Sequence, residues 1–359
     1  MRFDVFNLPT FDPRVDGEDE GMFERIRSLA ALADTLGYDG LWLAEHHFQT
    51  HGGILSAPDV VLAGLAAAAP HMRLGLGVVQ VPYHHPLSIA ERIATLDQVC
   101  GGRLDVGLGR AFLKCEYDGF GVPMDESRAR FNEGVEIVVG ALHGPLEARA
   151  DGFTSYPALS IQPRPRQRPV PPLWVAAATT PATFEWAGRE GFNLMVAPML
   201  SADRQSLGEK IDLYLSTRRD AGHPPGEILV NVHVHVAATD EEARADADDH
   251  LDRYVTETKA AGASAIEAFH RDGVPADFAL YPELGRRWAT FSVDNAIARN
   301  SVVIGSPETC VRAMDELIDS TRATVVAGTF DFGQRRASVE ESLRLFASDV
   351  IPKLAGNVR

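Results

Sequence analysis

The chain has 359 residues, 45% of them hydrophobic and 23% charged, with a formal net charge of −16. That is ordinary globular composition with ample material for a core. The negative balance repels phosphate backbones and anionic lipid, which argues against nucleic-acid and membrane partners while leaving room for a local pocket that takes one phosphate. The three cysteines, Cys100, Cys115 and Cys310, are odd in number and widely spaced, so neither a disulfide framework nor a structural zinc site is expected. The opening MRFDVFNLPTF lacks a basic region followed by an apolar run, and the most apolar stretch, Val60–Pro70, is too short to span a bilayer. With no disulfide expected, these features point to the cytoplasm.

In chain order, the pattern alternates between short apolar runs and longer helical periods. Arg2–Leu8 reads as a strand, and Met22–Leu36 as a helix stopped by Gly37. Asp39–Ala44 is a second strand, Ala57–Ala69 a helix, Arg73–Val81 a third strand, and Pro86–Val99 a helix that starts on proline. Arg103–Leu108 is the fourth strand, followed by a loop and a long helix over Asp125–Leu142. The second half repeats the alternation. Strands are predicted at Leu173–Ala177, Phe192–Val196, Ile228–Val236 and Thr324–Gly328. Helices are predicted at Pro181–Arg189, Asp203–Ala221, Asp240–Ala260, Pro307–Ser320 and Ser338–Leu354. Eight strands, nearly all apolar on both faces and separated by helices, imply a parallel sheet. Their number favours a closed α/β (β/α)8 TIM barrel over an open doubly wound sheet, with 1–359 as one domain. Insertions follow strands four and seven: a Pro/Arg-rich hairpin connection over 149–172, and a long mixed segment over 262–302 that reads as a lid. No GxGxxG turn follows the first strand, which leads instead into Pro9-Thr10-Phe11.

A barrel carries its active site at the carboxyl ends of the strands. The second strand ends in Glu45-His46-His47, which suits acid/base work; adjacent histidines on extended chain point apart, so joint metal binding is disfavoured. The third ends in VPYHHP, where His85 precedes a helix and reads as structural. The fourth ends in Gly107-Leu108-Gly109-Arg110. The glycines admit a close neighbour, and Arg110 offers either a phosphate fork or an ion pair with Glu116 or Asp118. Arg128 is a second possible donor. The fifth runs into Thr179-Thr180-Pro181, where Thr180 reads as an N-cap and the helix start as an anion site. The seventh places Asn231, His233 and His235 on one face. An HxH pair there can bind zinc or simply pack as polar residues inside the barrel.

Taken together, LWLAEHHF, VPYHHP, GGRLDVGLGR and SRARF resemble the luciferase α subunit and its luciferase-like monooxygenase relatives. The resemblance continues through LWVAAATTPATFEWA, VIGSPETC and SLRLFASDVIPKL and so spans nearly the whole chain. It implies a flavin-dependent monooxygenase that takes reduced FMN as cosubstrate and, through a C4a-peroxyflavin, oxygenates a small organic molecule with dioxygen. By position, His46 matches the family's active-site histidine, and Glu45 belongs to the same motif. Arg110, Arg128, Thr179, Thr180 and Thr183 match the flavin-phosphate region. Gly77-Val78 falls where the family has a cis non-prolyl peptide beneath the flavin. Luciferase α carries a cysteine at the position of Gly109 and an acidic residue at that of Ala177, so the resemblance implies the chemistry class rather than light emission or an aldehyde substrate.

The resemblance further implies a separate NAD(P)H flavin reductase and a homodimer, with no resident metal. Three other readings compete. The same fold supports F420-dependent hydride transfer, although Arg110 and Arg128 are few cations for that cofactor's acidic tail. A zinc-dependent hydrolase would use His233 and His235. A non-catalytic flavin-binding partner subunit is the third, and the presence of His46 argues against it.

Overall fold

Val325–Thr329, the last strand of the chain, pairs with the first, Arg2–Asn7, and this parallel contact closes the sheet. In the computed structural model, which describes residues 1–9, 11, 17–49, 52–201, 203–274, 278–279 and 292–357, β1 (Arg2–Asn7), β2 (Gly40–Leu43), β3 (Arg73–Gln80), β4 (Leu104–Gly109), β5 (Leu173–Ala176), β6 (Asn193–Val196) and β7 (Ile228–Val236) pair in sequence order. β7 then pairs with Val325–Thr329, and the barrel of eight parallel strands is complete. The predicted (β/α)8 barrel is therefore the architecture found.

The sheet carries one strand more than the sequence reading expected. Among the described residues it has nine: β8 (Val302–Gly305) lies against His233–Val236 at the far end of β7, and the closing strand is thus β9. β7 is long enough to serve both neighbours, pairing through Leu229–His233 with β9 and through His233–Val236 with β8. The acidic helix after β7 also runs further than predicted, over Asp240–Asp272, so the front of the predicted lid segment is helical. Its residues 275–277 and 280–291 lie outside the described residues.

Helix boundaries follow local chemistry. The helix Asp19–Leu36 ends on Gly37, whose positive φ of 83° lets its N–H reach Ala33 and Asp34 carbonyls. Pro86 and Pro181 open their helices at the first turn, where no backbone N–H is needed. The Pro/Arg-rich connection contains two antiparallel bridges, Leu146 with Leu159 and Arg149 with Tyr156. It is strapped to the barrel by Gln167, which bonds Asp97 through backbone and side chain at 2.7 and 2.8 Å. Among the described residues, no helix is long and apolar enough to cross a membrane.

The barrel interior is filled from below. Trp42 and Trp174 meet edge to face at 5.6 Å, with Leu229, Val325 and Ala327 packed in the same cluster. Beneath them Asp4 accepts the Trp42 indole N–H at 2.8 Å and an Arg2 bond at 3.0 Å. Gly75 leaves room for the Trp42 ring; a Cβ there would lie 2.2 Å from it. With this plug in the lower barrel, open space remains at the carboxyl ends of the strands, where barrel active sites lie.

Candidate active site

That space is a cavity of about 310 Å³. Glu45, His46, Gly77, Val78, Arg110, Arg128, Thr179, Thr180 and Thr183 all line it, so the barrel brings these residues together in one place. Phe6, Leu8, Met195, Met199 and Leu229 supply apolar wall.

His46 follows β2 and is buried. Its Nδ1 lies 2.9 Å from Glu116 Oε1, and the same oxygen accepts the backbone N–H of His47 at 2.9 Å. Glu116 is wholly buried and begins as a residue of the short helix Lys114–Gly119 in the loop after β4. A carboxylate facing Nδ1 makes that nitrogen the donor and leaves Nε2 as the basic one. Sequence reasoning saw Glu116 only as a possible partner of Arg110. Instead Glu116 is taken up by His46 and His47, and Asp118 by Lys114.

Glu45 turns away from His46 and acts as a bracket. Its Oε1 accepts from His47 Nε2 at 3.1 Å and His84 Nε2 at 2.6 Å, while Oε2 accepts the Gln80 N–H at 3.3 Å. Gln80 returns a bond to the Glu45 carbonyl. Burial alone would raise the Glu45 carboxyl; the hydrogen bonds and charge of His47 and His84 outweigh it and hold it at about 2. Ligand atoms of Glu45, His47 and His84 lie within 4.8 Å of one another, a spacing that could hold a metal ion. At these distances the imidazoles serve the carboxylate as donors, and a metal would have to displace those protons.

Gly77–Val78 is a cis peptide bond within β3. The Val78 side chain fills the space left by two glycines of β4. A Cβ at Gly109 would lie 2.2 Å from Val78 Cγ2, and one at Gly107 2.8 Å from Cγ1. This is why the strand reads Gly107-Leu108-Gly109: Val78 occupies the Cβ position at Gly109, and at Gly107 the Leu76 carbonyl, 2.6 Å away, crowds it together with Val78. The luciferase α cysteine could not be placed at 109 without moving Val78.

Arg110 follows β4 directly, with its guanidinium 4.3 Å from the Phe278 ring centroid. Phe278 is buried with Tyr117, Met124 and Phe269, and Phe278 itself lines the cavity. Arg128 comes from the first turn of Ser127–His143. Thr180 caps the helix Pro181–Arg189 by position, but its side chain makes no capping bond. The Thr183 N–H bonds the Thr180 carbonyl at 3.0 Å. Two arginines, three threonines and a helix N-terminus all contribute to the lining of this one cavity. That donor set suits a phosphate monoester, and the remaining apolar wall suits a planar ring. FMN fits these residues.

Residues Leu229, Asn231 and His233 alternate along β7 and face the cavity. Asn231 commits Nδ2 to Thr329 Oγ1 at 2.9 Å and the Ala327 carbonyl at 3.2 Å. His233 is buried, with the Tyr254 ring edge to face at 4.5 Å and Phe332 at 5.8 Å. His235 lies beyond the cavity lining, 3.6 Å from Asp246. Among the described residues no third ligand atom gathers with His233 and His235, so the zinc reading lacks a complete ligand set.

The family profile described as luciferase-like monooxygenase matches residues 1–324. The 4-hydroxyprotoasukamycin monooxygenase of Streptomyces nodosus subsp. asukaensis is 29% identical over 352 residues, covering 95% of this chain and 90% of its own. The oxygenase component of the flavin-dependent trigonelline monooxygenase of Acinetobacter baylyi is 31% identical over 68% of this chain and 67% of its own. The solved structure of the monooxygenase RslO1 from Streptomyces bottropensis superposes with a TM-score of 0.82 at 31% identity, covering 98% of this chain and 99% of that one. The fold alone extends to the F420-dependent tetrahydromethanopterin reductase of Methanopyrus kandleri, at a TM-score of 0.68 and 18% identity over 98% and 99% of the two chains.

Proposed function

From the premise that this chain belongs to the luciferase-like monooxygenase family, we propose that it takes reduced FMN and dioxygen and transfers one oxygen atom to a small organic substrate. The carrying observation is the convergence of the His46–Glu116 pair with the Arg110, Arg128 and threonine donor set on a single cavity. Reduced FMN supplies the two electrons that take the second oxygen atom to water.

The chain's own residues have distinct tasks. Arg110 and Arg128 neutralise the phosphate, and Thr180 and Thr183 offer hydroxyls beside the positive end of the helix Pro181–Arg189. Val78 contributes apolar wall that would help to hold the flavin ring. Apolar wall from Phe6, Met195 and Phe278 keeps water away from the reacting atoms. His46 Nε2 takes a proton from the substrate or returns one to the product, and Glu116 fixes the tautomer that allows it. Glu45 holds the backbone of this turn through Gln80 and anchors His47 and His84.

A separate NAD(P)H flavin reductase supplies the reduced flavin; a relative named as an oxygenase component supports that division. A homodimer is the assembly expected of this family. F420-dependent hydride transfer is the second reading, since a neighbour of this fold uses that cofactor. Arg110 and Arg128 are the only arginines or lysines among the described residues lining the cavity, which suits one phosphate better than a longer acidic tail.

Anaerobic titration with reduced FMN and with reduced F420, followed by admission of oxygen, tests this. Saturable FMN binding, with bound flavin reoxidised more slowly than free, is expected. Tighter binding of F420, or reoxidation at the free-flavin rate, would overturn the proposal.

A further inference from the structure

The short helix Lys114–Gly119 holds two cavity residues through two successive side chains. Glu116 goes to His46. The next residue, Tyr117, goes to Arg110: its buried hydroxyl donates to the Arg110 backbone carbonyl. A phenylalanine would fill the same space among Met124, Phe269 and Phe278. A phenol is explained there by the bond it makes, because a buried hydroxyl without a partner costs its desolvation. Burial also raises the Tyr117 hydroxyl above its ordinary value of 10, so it stays a protonated donor. The carbonyl it takes belongs to a turn that leaves the sheet. The β4 ladder ends at Gly109, and Arg110 is the first residue beyond it. Ala111 then turns left-handed at φ 64°, a conformation that a residue with a Cβ keeps only where its surroundings hold it.

We propose that Tyr117 is a positioning residue for Arg110: its hydroxyl fixes the peptide that follows β4 and so aims the guanidinium into the cavity. This rests on the reading of Arg110 as a holder of the flavin phosphate. Tyr117 braces the arginine at both ends. Its hydroxyl takes the backbone, and its ring meets the Phe278 ring edge to face at 6.5 Å. The Arg110 guanidinium lies over that same Phe278 ring at 4.3 Å. Tyr117 is itself held, since the Tyr83 ring packs on it at 4.9 Å while the Tyr83 hydroxyl bonds Glu116 at 3.4 Å. Aim matters for arginine more than for lysine. A planar guanidinium donates along fixed directions, so a small rotation of its stem costs it part of a phosphate contact. The uncharged part of a flavin makes no such demand, so the effect of Tyr117 should fall on the phosphate.

Anaerobic titration of the full chain with reduced FMN and reduced riboflavin tests this, with Tyr117→Phe removing the hydroxyl and keeping the ring. FMN should bind about fivefold more weakly, the worth of one net hydrogen bond, and riboflavin as in wild type. In an Arg110→Ala background Tyr117→Phe should weaken FMN no further, since the two act through one contact. Met124→Leu alters the same cluster but keeps the hydroxyl, so it should leave the preference for FMN over riboflavin intact. In protein labelled with 15N in its arginines, the Nε resonance lost in Arg110→Ala should move in Tyr117→Phe even without flavin. Arg110→Ala separates the two ideas. If it leaves the preference for FMN unchanged, the phosphate reading falls, and the Nε resonance alone decides whether Tyr117 positions Arg110. If it lowers the preference and Tyr117→Phe does not, the positioning role falls alone. An unmoved Nε resonance, equal weakening of both flavins in Tyr117→Phe, or the same change of preference in Met124→Leu would also overturn that role.

Discussion

Glu116 Oε1 sits 2.9 Å from His46 Nδ1, although the two residues are 70 positions apart. The carboxylate also takes the His47 N–H at 2.9 Å and the Tyr83 hydroxyl at 3.4 Å, so it is fixed from two directions before it fixes the imidazole. Glu116 does not line the cavity, whereas His46 does. The pair therefore divides between a group that faces the cavity and one that orients it.

Removing the orienting group should slow turnover without loosening flavin. Glu116→Ala is expected to lower kcat by about 10–100-fold, as loss of a residue behind a functional imidazole does. His46→Ala should cost more, about 10²–10⁴-fold, the range of a general base. The double variant should be little worse than His46→Ala, since the two act as one unit. Steady-state kinetics with reduced-FMN titrations measure this; full activity in Glu116→Ala would refute the orienting role.

Arg110 and Arg128 should report on the phosphate rather than on the ring. Arg110→Ala is expected to weaken reduced FMN by about 10–100-fold, the worth of a charge-assisted hydrogen bond, while reduced riboflavin binds as before. Arg128→Ala should act in the same direction. If FMN and riboflavin weaken equally, Arg110 works through its packing on Phe278 and not through the phosphate.

The sequence makes the barrel readable because its strands are short apolar runs between amphipathic helices, and a doubly buried strand has no polar face to obscure it. Glu45, His46, Arg110, Thr179 and Thr180 are readable for a related reason: they stand just after strands two, four and five, where a barrel puts its chemistry, whereas Gly77, Val78 and Thr183 were legible only through the family resemblance. Val302–Gly305 was missed because four residues at the end of a long mixed segment carry little periodic signal, and it adds to β7 outside the closed ring. The helix from Asp240 was cut short at Ala260 because the alanine- and glycine-rich stretch that follows lacks a clear stripe, while the structure continues it to Asp272. Glu116 was visible as a residue but not as a partner of His46. The loop after β4 must fold over the end of β2 to bring them together, and no local spacing encodes that.

The glycines of β4 give a packing prediction. Gly109→Cys puts a Cβ about where Val78 Cγ2 now sits, 2.2 Å away, and overpacking of this kind costs ~1–3 kcal/mol. The variant should melt earlier and bind reduced FMN less well, because Val78 is part of the cavity wall. Val78→Ala in the same chain should recover stability by vacating the space. Differential scanning calorimetry checks both, and an unchanged melting temperature in Gly109→Cys would show that Val78 moves aside freely.

His233 gives the pH prediction. Its ordinary imidazole value is 6.5, and burial lowers it to about 3 in the folded chain. Between those values the unfolded chain holds a proton that the folded chain lacks, so unfolding is favoured as the pH falls. The stability associated with a neutral His233 is therefore complete above pH 6.5, declines below it and is exhausted near pH 3. At pH 5 the loss from this residue amounts to ~2 kcal/mol relative to neutral pH. His233→Leu has no proton to take up there. The stability difference between wild type and His233→Leu, from urea unfolding at pH 7.5 and 5.0, should therefore shift by about 2 kcal/mol in favour of the variant at the lower pH. A difference that stays constant would mean that His233 takes up its proton as readily in the folded chain as in the unfolded one.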